Sequence, residues 1–366
     1  MRIAIVSDAW HPQINGVVTT LSKTGQGLAD MGHQVLFVTP DHFRTMPCPT
    51  YPSIRLALNP AGKLERMLKA FKPHAVHIAT EGPLGWAARS HCRKHGLAFT
   101  TSYHTQFPQY VKLRIPVPTG WSYALLRNFH GAAVRTMAAT PSLRRELRLQ
   151  RFRNVVIWPR GVDTELFRPG DKTVLEAPRP IAMYAGRVAV EKNIEAFLRL
   201  DLPGTKYVVG DGPDLEKLRR KYPVVRFTGF KKHAELANYL AAADVFVFPS
   251  RTDTFGLVML EAMACGVPVA AFPVTGPVDV VRSGETGALD QDLAKAVRAA
   301  LRLDGRVCRE YALTRSWQRA TACFAAHLVD NSEGVIQGME ADAYDAAPSA
   351  TAIFPHAGVV AEETQN

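Results

Sequence analysis

Short apolar runs, rich in Val, Ile and Phe, recur along the chain and alternate with stretches whose apolar positions have helical spacing. Such runs are typical of strands in a parallel sheet that helices cover on both faces. The alternation predicts the α/β class with two doubly wound domains. The pattern breaks at residues 160–169, so we place one domain at residues 1–168 and the other at residues 169–306.

The same runs assign the individual elements. Predicted strands cover residues 2–8, 34–39, 54–58, 75–79, 98–103, 181–185, 207–209, 225–228, 245–248 and 267–272. Predicted helices include residues 17–31, 63–71, 83–95, 255–265 and 293–302. Residues 307–329 form a long amphipathic stretch, whereas residues 331–366 are acidic, Ala-rich and weakly patterned, which favours a disordered tail.

Residues 250–268 carry the clearest chemical signal, because a buried strand there leads through a polar turn into a helix. Gly256 has no Cβ, so a ligand can approach the backbone closely. The amides of Gly256, Leu257 and Val258 have no partner inside the helix. Free N–H groups at the positive end of the helix dipole predict an anion site, usually for a phosphate.

Two carboxylates flank this anion site. Asp253 precedes the helix, and Glu261 lies about one and a half turns into it. Because that helix is otherwise apolar, Glu261 needs either a protein partner or a ligand hydroxyl group. The spacing leaves both interpretations open, including a structural one in which Glu261 is paired and Asp253 only caps the helix.

Polar groups also follow the other strands of the second domain. Arg187 comes directly after a strand end, and Lys192 lies five residues further on, so together they offer two cations to a pyrophosphate. Glycine turns follow the next two strands, at Asp211-Gly212 and at Gly229-Phe230. These turns should lie on the same edge of a parallel sheet as the turn at Ser250.

The first domain lacks a G-x-G-x-x-G motif after its first strand, which excludes a nicotinamide or flavin fingerprint. The loop there ends at Gly16. His104 follows a predicted strand at the end where ligands gather, although a lone histidine is also common in protein cores. Residues 108–126 mix aromatic and cationic side chains, a pattern compatible with a membrane interface or with an ordinary helix edge.

Composition and charge narrow the function classes. The chain is 47% hydrophobic and 21% charged, without an apolar run long enough to cross a bilayer. Residues 1–6 have no hydrophobic signal region, so no signal peptide is expected. Five cysteines without a CxxC pair favour reduced thiols in the cytoplasm and indicate no zinc site. Residues 1–168 contain 22 Lys and Arg against 8 Asp and Glu, which predicts attraction to a polyanion, either nucleic acid or an anionic membrane. The alternative is a basic surface that only keeps the protein soluble.

With these residues assembled, the chain resembles glycosyltransferase family 4, the retaining GT-B enzymes that use nucleotide sugars. The resemblance covers residues 1–329 and rests on RGVDTELFRP, YAGRVAVEKNIE, VGDGPDLEKL, VRFTGF and ADVFVFPSRTDTFGLVMLEAMACGVPV, in family order. Asp253 and Glu261, with seven residues between them, match the family's paired glutamates, although Asp253 is one methylene shorter. TEGPLGWAAR and TTSYHTQFPQYV are similar to the branch of sulfoquinovosyl, glucosyl and mannosyl transferases that act on lipid acceptors.

The resemblance implies a GT-B fold of two Rossmann-like domains, with the donor held mainly by the second. Glu261 would bind the ribose, and Asp253 would bind the sugar. The pyrophosphate would be bound by Arg187, Lys192 and the amides of Leu257 and Val258. From the first domain, Gly16 would close over the phosphates and His104 would contact the sugar near the reacting carbon. The implied donor-binding set also includes Asp211, Gly212, Gly229, Phe230, Ser250, Phe255 and Gly256. A final helix, residues 307–330, would cross back to the first domain.

The resemblance also implies that no metal or other cofactor is needed, because two cations and helix amides stabilise the leaving phosphate. The acceptor would be a membrane glycerolipid such as diacylglycerol, bound by the basic first domain of a cytoplasmic, peripheral enzyme. A soluble glycan acceptor and a sugar-nucleotide epimerase of the GT-B class are the alternatives. Nucleic-acid binding is not expected because no reader motif is present, and a phosphorylase would need a pyridoxal-phosphate lysine site that is not apparent.

Overall fold

The first domain is built on a six-stranded parallel sheet in a computed structural model that describes residues 1–13, 15–48, 51–104 and 119–332. Its strands are β1 (Arg2–Val6), β2 (Gln34–Val38), β3 (Thr45–Cys48), β4 (Tyr51–Ala57), β5 (Ala75–Ile78), β6 (Thr100–Tyr103), β7 (Arg135–Ala138) and β8 (Val155–Ile157). Its helices are α1 (Gly16–Asp30), α2 (Ala61–Phe71), α3 (Pro83–Lys94), α4 (Thr119–His130) and α5 (Pro141–Leu149). The sheet order is β2-β1-β5-β6-β7-β8, and β3 and β4 form a separate antiparallel pair.

The second domain repeats this architecture with its own six-stranded parallel sheet. Its strands are β9 (Ile181–Ala185), β10 (Thr205–Val209), β11 (Arg226–Gly229), β12 (Val245–Phe248), β13 (Val269–Ala271) and β14 (Gly287–Leu289). Its helices are α6 (Ile194–Leu198), α7 (Leu215–Lys221), α8 (His233–Ala242), α9 (Leu257–Ala264), α10 (Pro277–Val280) and α11 (Leu293–Ala300). The order β11-β10-β9-β12-β13-β14 is that of a Rossmann sheet, which confirms the predicted fold class.

Burial explains why the apolar runs become strands. Every residue of β5, β9 and β12 is buried, because helices cover both faces of each sheet. His77 in β5 is one of these core residues, and Thr100 and Ser102 lie within hydrogen-bond distance of its two ring nitrogens. Histidine at a strand centre is therefore part of the packed interior.

Some details of the sequence assignment differ from the structure. Strand β3 was missed, because Pro47 within it weakens the strand pattern, and β4 begins three residues earlier than predicted. Lys192 ends a short 3-10 turn, Val190–Lys192, just before α6. The amphipathic stretch 307–329 is two helices, α12 (Gly305–Leu313) and α13 (Trp317–His327), because Ser316 caps a new helix through the Arg319 amide.

The chain passes between the domains twice, and the two crossings run side by side. The Val162 amide donates to the Arg315 carbonyl at 2.8 Å, and Val162 forms a parallel bridge with Ser316. Helix α12 packs on α9 of the second domain, whereas α13 packs on α1 of the first. The return predicted for residues 307–330 therefore takes place between α12 and α13.

The end of the described chain is fastened to the first domain. Asn331, which the sequence assigns to the tail, donates through its amide to the His74 carbonyl at 2.7 Å, and its side chain accepts from the Ala98 amide at 2.8 Å. Residues 333–366, the rest of the predicted disordered tail, lie outside the described residues. So do residues 108–118 of the predicted aromatic and cationic stretch.

Candidate active site

The candidate site lies where the strand order of the second sheet reverses, between β9 and β12. Ligands of open α/β sheets bind at such a switch point, beyond the carboxyl ends of the strands. Arg187 follows β9 and Ser250 follows β12, so both lie at this edge. The Asn193 side chain donates to the Pro249 carbonyl at 3.0 Å and joins the two strand ends.

The turns after β9 and β10 are packed backbone against backbone. The Val188 amide donates to the Asp211 carbonyl at 2.9 Å, and the Gly186 amide donates to the Val209 carbonyl at 2.9 Å. A Cβ on Gly212 would overlap the Val188 carbonyl oxygen, so only glycine fits this approach. The predicted glycine turns thus lie on one edge of the second sheet, called the rim below, which reaches Gly229 at the end of β11.

Helix α9 begins at this edge with an open N-terminus. Its N-cap, Gly256, has φ 83° and ψ 69°, and no side chain caps the helix. A side chain at Gly256 would be strained in this left-handed conformation, and its Cβ would lie 2.8 Å from the Phe248 ring. The adjoining Phe255 is buried in the core and anchors the turn. The amides of Leu257 and Val258 therefore form the first turn of a helix whose end carries no competing carboxylate.

Asp253 and Lys192 form an ion pair across the switch point. The Lys192 Nζ lies 2.6 Å from the Asp253 Oδ1, and both side chains are at least four-fifths buried. Asp253 therefore does not cap α9, as the structural interpretation had it. The other oxygen, Oδ2, is buried and has no hydrogen-bond partner among the described residues, as is also true of the Ser250 hydroxyl. Buried polar atoms without partners are typical of sites that a ligand completes.

Glu261 lies on the second turn of α9. Within the described part of the chain no side chain or amide donates a hydrogen bond to its carboxylate and no cation pairs with it. Burial raises the pKa of this carboxyl group from 4.5 to about 7. The structural alternative for Glu261 required a protein partner, so the geometry favours a ligand hydroxyl.

His104 connects the first domain to the turn before α9. Its carbonyl accepts from the Thr254 hydroxyl at 2.7 Å, and Thr254 lies in the turn before α9. The Arg160 Nη2 lies 3.3 Å from His104 Nδ1. Burial, together with the nearby Arg160 guanidinium, lowers the pKa of His104 well below 6.5, so the ring is neutral.

The neighbours of His104 fix which ring nitrogen holds the proton. A guanidinium can only donate, so Nδ1 must accept and the proton of the neutral ring is on Nε2. Nε2 is buried, and no described residue accepts from it. His104 therefore holds a buried N–H donor without a partner among the described residues.

Arg160 was assigned only to the domain boundary, yet it belongs to this site. Its Nη1 donates to the Trp158 carbonyl at 2.6 Å, and its guanidinium lies 4.1 Å from the centre of the Trp158 ring. Burial lowers the pKa of Arg160 to about 9, which leaves it charged at neutral pH. A lone arginine just after β8, at the ligand edge of the sheet, is the signal that could have identified it.

Asp8 was also missed, although it follows β1 at the switch point of the first sheet. Its carboxylate accepts from the amides of Leu84 and Gly85, at 2.8 and 3.2 Å, and from the Thr80 hydroxyl at 2.9 Å. Burial raises the pKa of Asp8 despite these hydrogen bonds. The carboxylate therefore fixes the start of α3 at the wall of the cleft.

The two domains touch across the cleft. A Cβ on Gly16, at the start of α1, would lie 3.5 Å from Leu257 Cδ1, which brings the predicted phosphate loop to α9. The Ser142 amide donates to Asp279 Oδ2 at 3.2 Å, joining α5 to α10. The catalytic and donor-binding candidates thus converge from both sheets, whereas the exposed Phe230 lies at the outer end of the rim, beyond β11.

Comparison with known proteins identifies this arrangement. Residues 14–166 match the family model described as Glycosyltransferase Family 4, and residues 179–303 match the model described as Glycosyl transferases group 1. The chain is 32% identical over 357 residues to a GDP-mannose-dependent alpha-mannosyltransferase of Mycolicibacterium smegmatis, covering 87% of this chain and 94% of the relative. The chain belongs to glycosyltransferase family 4.

Two further relatives of this family 4 glycosyltransferase have names that refer to other sugars. The sulfoquinovosyl transferase of Arabidopsis thaliana is 30% identical over 368 residues, 87% of this chain and 72% of the relative. An alpha-monoglucosyldiacylglycerol synthase of Acholeplasma laidlawii is 27% identical over 317 residues, 74% of this chain and 79% of the relative. Sucrose-phosphate synthase from Thermosynechococcus elongatus has a similar structure, with a TM-score of 0.72 and 24% identity over 89% of this chain and 97% of that one. This likeness confirms the GT-B fold.

Proposed function

We propose that this glycosyltransferase moves a hexose from a UDP- or GDP-linked sugar to a hydroxyl group of a membrane glycerolipid such as diacylglycerol, with retention at the anomeric carbon. The observation that carries the donor half is the group of unpartnered polar atoms at one switch point: Asp253 Oδ2, the Ser250 hydroxyl, His104 Nε2 and the Glu261 carboxylate. The names of the relatives favour GDP-mannose as the first donor to test. They also favour diacylglycerol as the first acceptor.

The rim has the dimensions of a nucleoside diphosphate. Neighbouring strands lie about 4.8 Å apart, so the turn at Gly229 is about 10 Å from the end of β9. A pyrophosphate at α9 would leave the base near Phe230, whose side chain is exposed enough to stack on it. Between these ends Glu261 would accept hydrogen bonds from the ribose hydroxyl groups.

The chemistry follows from the charge that develops on the leaving group. When the bond between the sugar and the phosphate breaks, negative charge grows on the pyrophosphate. Arg187, Lys192 and the first amides of α9 would stabilise that charge, so the proposal needs no metal ion in the donor site. The leaving phosphate oxygen would take the acceptor proton, on the face where the new bond forms, and His104 Nε2 would donate to a sugar oxygen. No protein side chain is assigned as a general base.

A membrane face is proposed on helix α4 of the first domain. Trp121 and Leu125 are one helical turn apart and are 77% and 54% exposed. Beside α4, a cavity of about 460 Å³ is lined by Arg89, Arg93 and Arg127, and no carboxylate is among the described residues that line it. Apolar side chains next to uncompensated cations suit the interface of an anionic bilayer. The described helices include none long and apolar enough to cross one.

Replacing both Trp121 and Leu125 with serine should weaken partitioning onto anionic vesicles by about tenfold or more, because each apolar side chain contributes roughly 1.5–3 kcal/mol when buried. Co-sedimentation with phosphatidylglycerol vesicles measures this. Leu149→Ser is the matched control, since Leu149 is 83% exposed on another helix of the same domain. Equal binding of the double variant and the control would place the membrane face elsewhere.

The donor proposal is tested by a thermal-shift screen with UDP, GDP, ADP and their sugar conjugates in the presence of EDTA. We expect one nucleotide and its sugar to raise the melting temperature by about 5 °C at a hundredfold excess over Kd. Loss of the shift in EDTA would contradict the metal-free site. No shift with any nucleotide would contradict the donor proposal.

The acceptor proposal is tested with that sugar nucleotide and vesicles containing diacylglycerol. A hexosyl-diacylglycerol detected by mass spectrometry, with the donor's anomeric configuration by NMR, is the expected product. Transfer only to a soluble glycan would replace the lipid acceptor. Conversion of the nucleotide sugar without any acceptor would indicate an epimerase instead.

A further inference from the structure

Three potential metal ligands meet on the outer side of the first domain, away from the candidate active site. Glu65 lies on α2, His91 lies on α3 and His95 caps the C-terminal end of α3. One ligand atom from each residue lies within 4.8 Å of the other two. The His95 Nε2 is 3.6 Å from the Glu65 Oε1, and the two imidazole rings are 4.4 Å apart between centroids.

The ligand set and spacing suit a zinc-like ion. Two histidines four residues apart on one helix face can bind one ion, and a carboxylate from a neighbouring helix supplies a third ligand. Zn–N and Zn–O bonds of about 2.0–2.2 Å put tetrahedral ligands about 3.4 Å apart. The observed separations are within about 1.5 Å of this value, which small side-chain rotations can close.

A lysine already pairs with the carboxylate of this cluster. Lys69 itself lies 2.7 Å from Glu65 Oε1 and occupies part of the space that an ion would take.

We propose that Glu65, His91 and His95 form a site for a divalent transition-metal ion of the zinc class, with Lys69 as its internal competitor. The ion would cross-link α2 to α3, which already pack against each other. Helix α3 starts beside the switch point of the first sheet and reaches His91 about 12 Å further on, so the site lies at the opposite edge of the sheet. It is therefore separate from the metal-free donor chemistry proposed above.

Titration of the full-length chain, purified without a polyhistidine tag, with zinc chloride and cobalt chloride tests the site. We expect the wild type to bind one equivalent, to show the visible absorption bands of tetrahedral cobalt, and to melt at a higher temperature with zinc. The variants Glu65→Gln, His91→Ala and His95→Ala should each weaken binding by about tenfold or more, as even indirect ligand changes commonly do.

Two further variants make the test specific. His42→Ala is the matched control. His42 also lies close to a carboxylate, 3.6 Å from that of Asp41, but among the described residues it is not part of a group of three potential metal ligands. Lys69→Met should strengthen binding several-fold by removing the competing ammonium group. The proposal is overturned if zinc binds equally to wild type and His91→Ala, or if bound cobalt keeps an octahedral, water-like spectrum. Circular dichroism checks that each variant is folded.

Discussion

Replacing Lys192 with methionine should lower kcat for hexose transfer by about 10²–10³-fold, the usual cost of removing one fixed donor that stabilises transition-state charge. Methionine keeps much of the apolar stem of lysine, so packing changes little and the missing ammonium group dominates. The Lys192 Nζ lies 2.6 Å from Asp253 Oδ1, so the variant also removes the ion-pair partner of this carboxylate. Steady-state kinetics with saturating donor and acceptor measure the effect.

A matched variant separates catalysis from loss of an ion pair. Lys221 also forms a 2.6 Å pair, with Glu195, but on the exposed surface of the second domain. Lys221→Met should therefore leave kcat within about twofold of wild type, since exposed pairs contribute little. If the two variants lose activity equally, or Lys192→Met loses none, Lys192 does not stabilise the leaving group.

Replacing Glu261 with glutamine should weaken binding of the nucleotide sugar by about tenfold to a hundredfold, because hydrogen bonds to a charged group contribute roughly 1.5–3 kcal/mol. Calorimetric titration without acceptor measures the affinity. The wild type should bind more tightly as pH rises from 6 to 8, since the carboxyl group, with a pKa of about 7, must ionise to accept both ribose hydroxyl protons. The glutamine variant should show no such pH dependence.

The pH dependence of folding stability that Glu261 causes should be opposite to that of donor affinity. Between pH 4.5 and about 7 the folded protein keeps the Glu261 proton whereas the unfolded chain has lost it, so the free energy of unfolding falls as pH rises through this window. Glu261→Gln removes that penalty, and its melting temperature relative to wild type should increase from pH 5 to pH 8. A destabilised variant with unchanged donor affinity would show that Glu261 is structural.

Glu195→Gln provides the control for this pH effect. Hydrogen bonds from Lys221 and Tyr222 lower the pKa of Glu195, so its contribution to stability is present above its ordinary pKa and is lost as pH falls. The glutamine variant at this position should be slightly destabilised near neutral pH and should bind the nucleotide sugar normally. The two substitutions thus have opposite expected signs for stability.

The sequence was most informative where backbone conformation limits residue choice. Gly256 was identified because a ligand can approach a backbone without a Cβ, and Gly212 because it lies in a strand-end turn. The structure places both at the ligand edge, where a Cβ would clash with neighbouring atoms. The strands were predicted because parallel sheets need runs that are apolar on both faces. Local rules of this kind give the fold class and the edge on which the site lies.

Partners distant in sequence could not be predicted in the same way. Lys192 and Asp253 are 61 residues apart, and His104 and Thr254 are 150 apart, so only the folded chain shows that they meet. The proton position on His104 depends on Arg160, which no local pattern linked to it. Which groups are left without partners is a property of tertiary packing, and it is the strongest argument for the site.

The paired crossings between the domains have a consequence for engineering. The Val162 amide donates a hydrogen bond to the Arg315 carbonyl, so the chain enters the second domain and returns from it at almost the same place. Insertions are tolerated best where the ends of the inserted unit are close together. The second domain, the proposed donor-binding domain, can therefore be exchanged at two adjacent junctions. Replacing it with that of a relative should transfer nucleotide specificity while the first domain keeps its own fold.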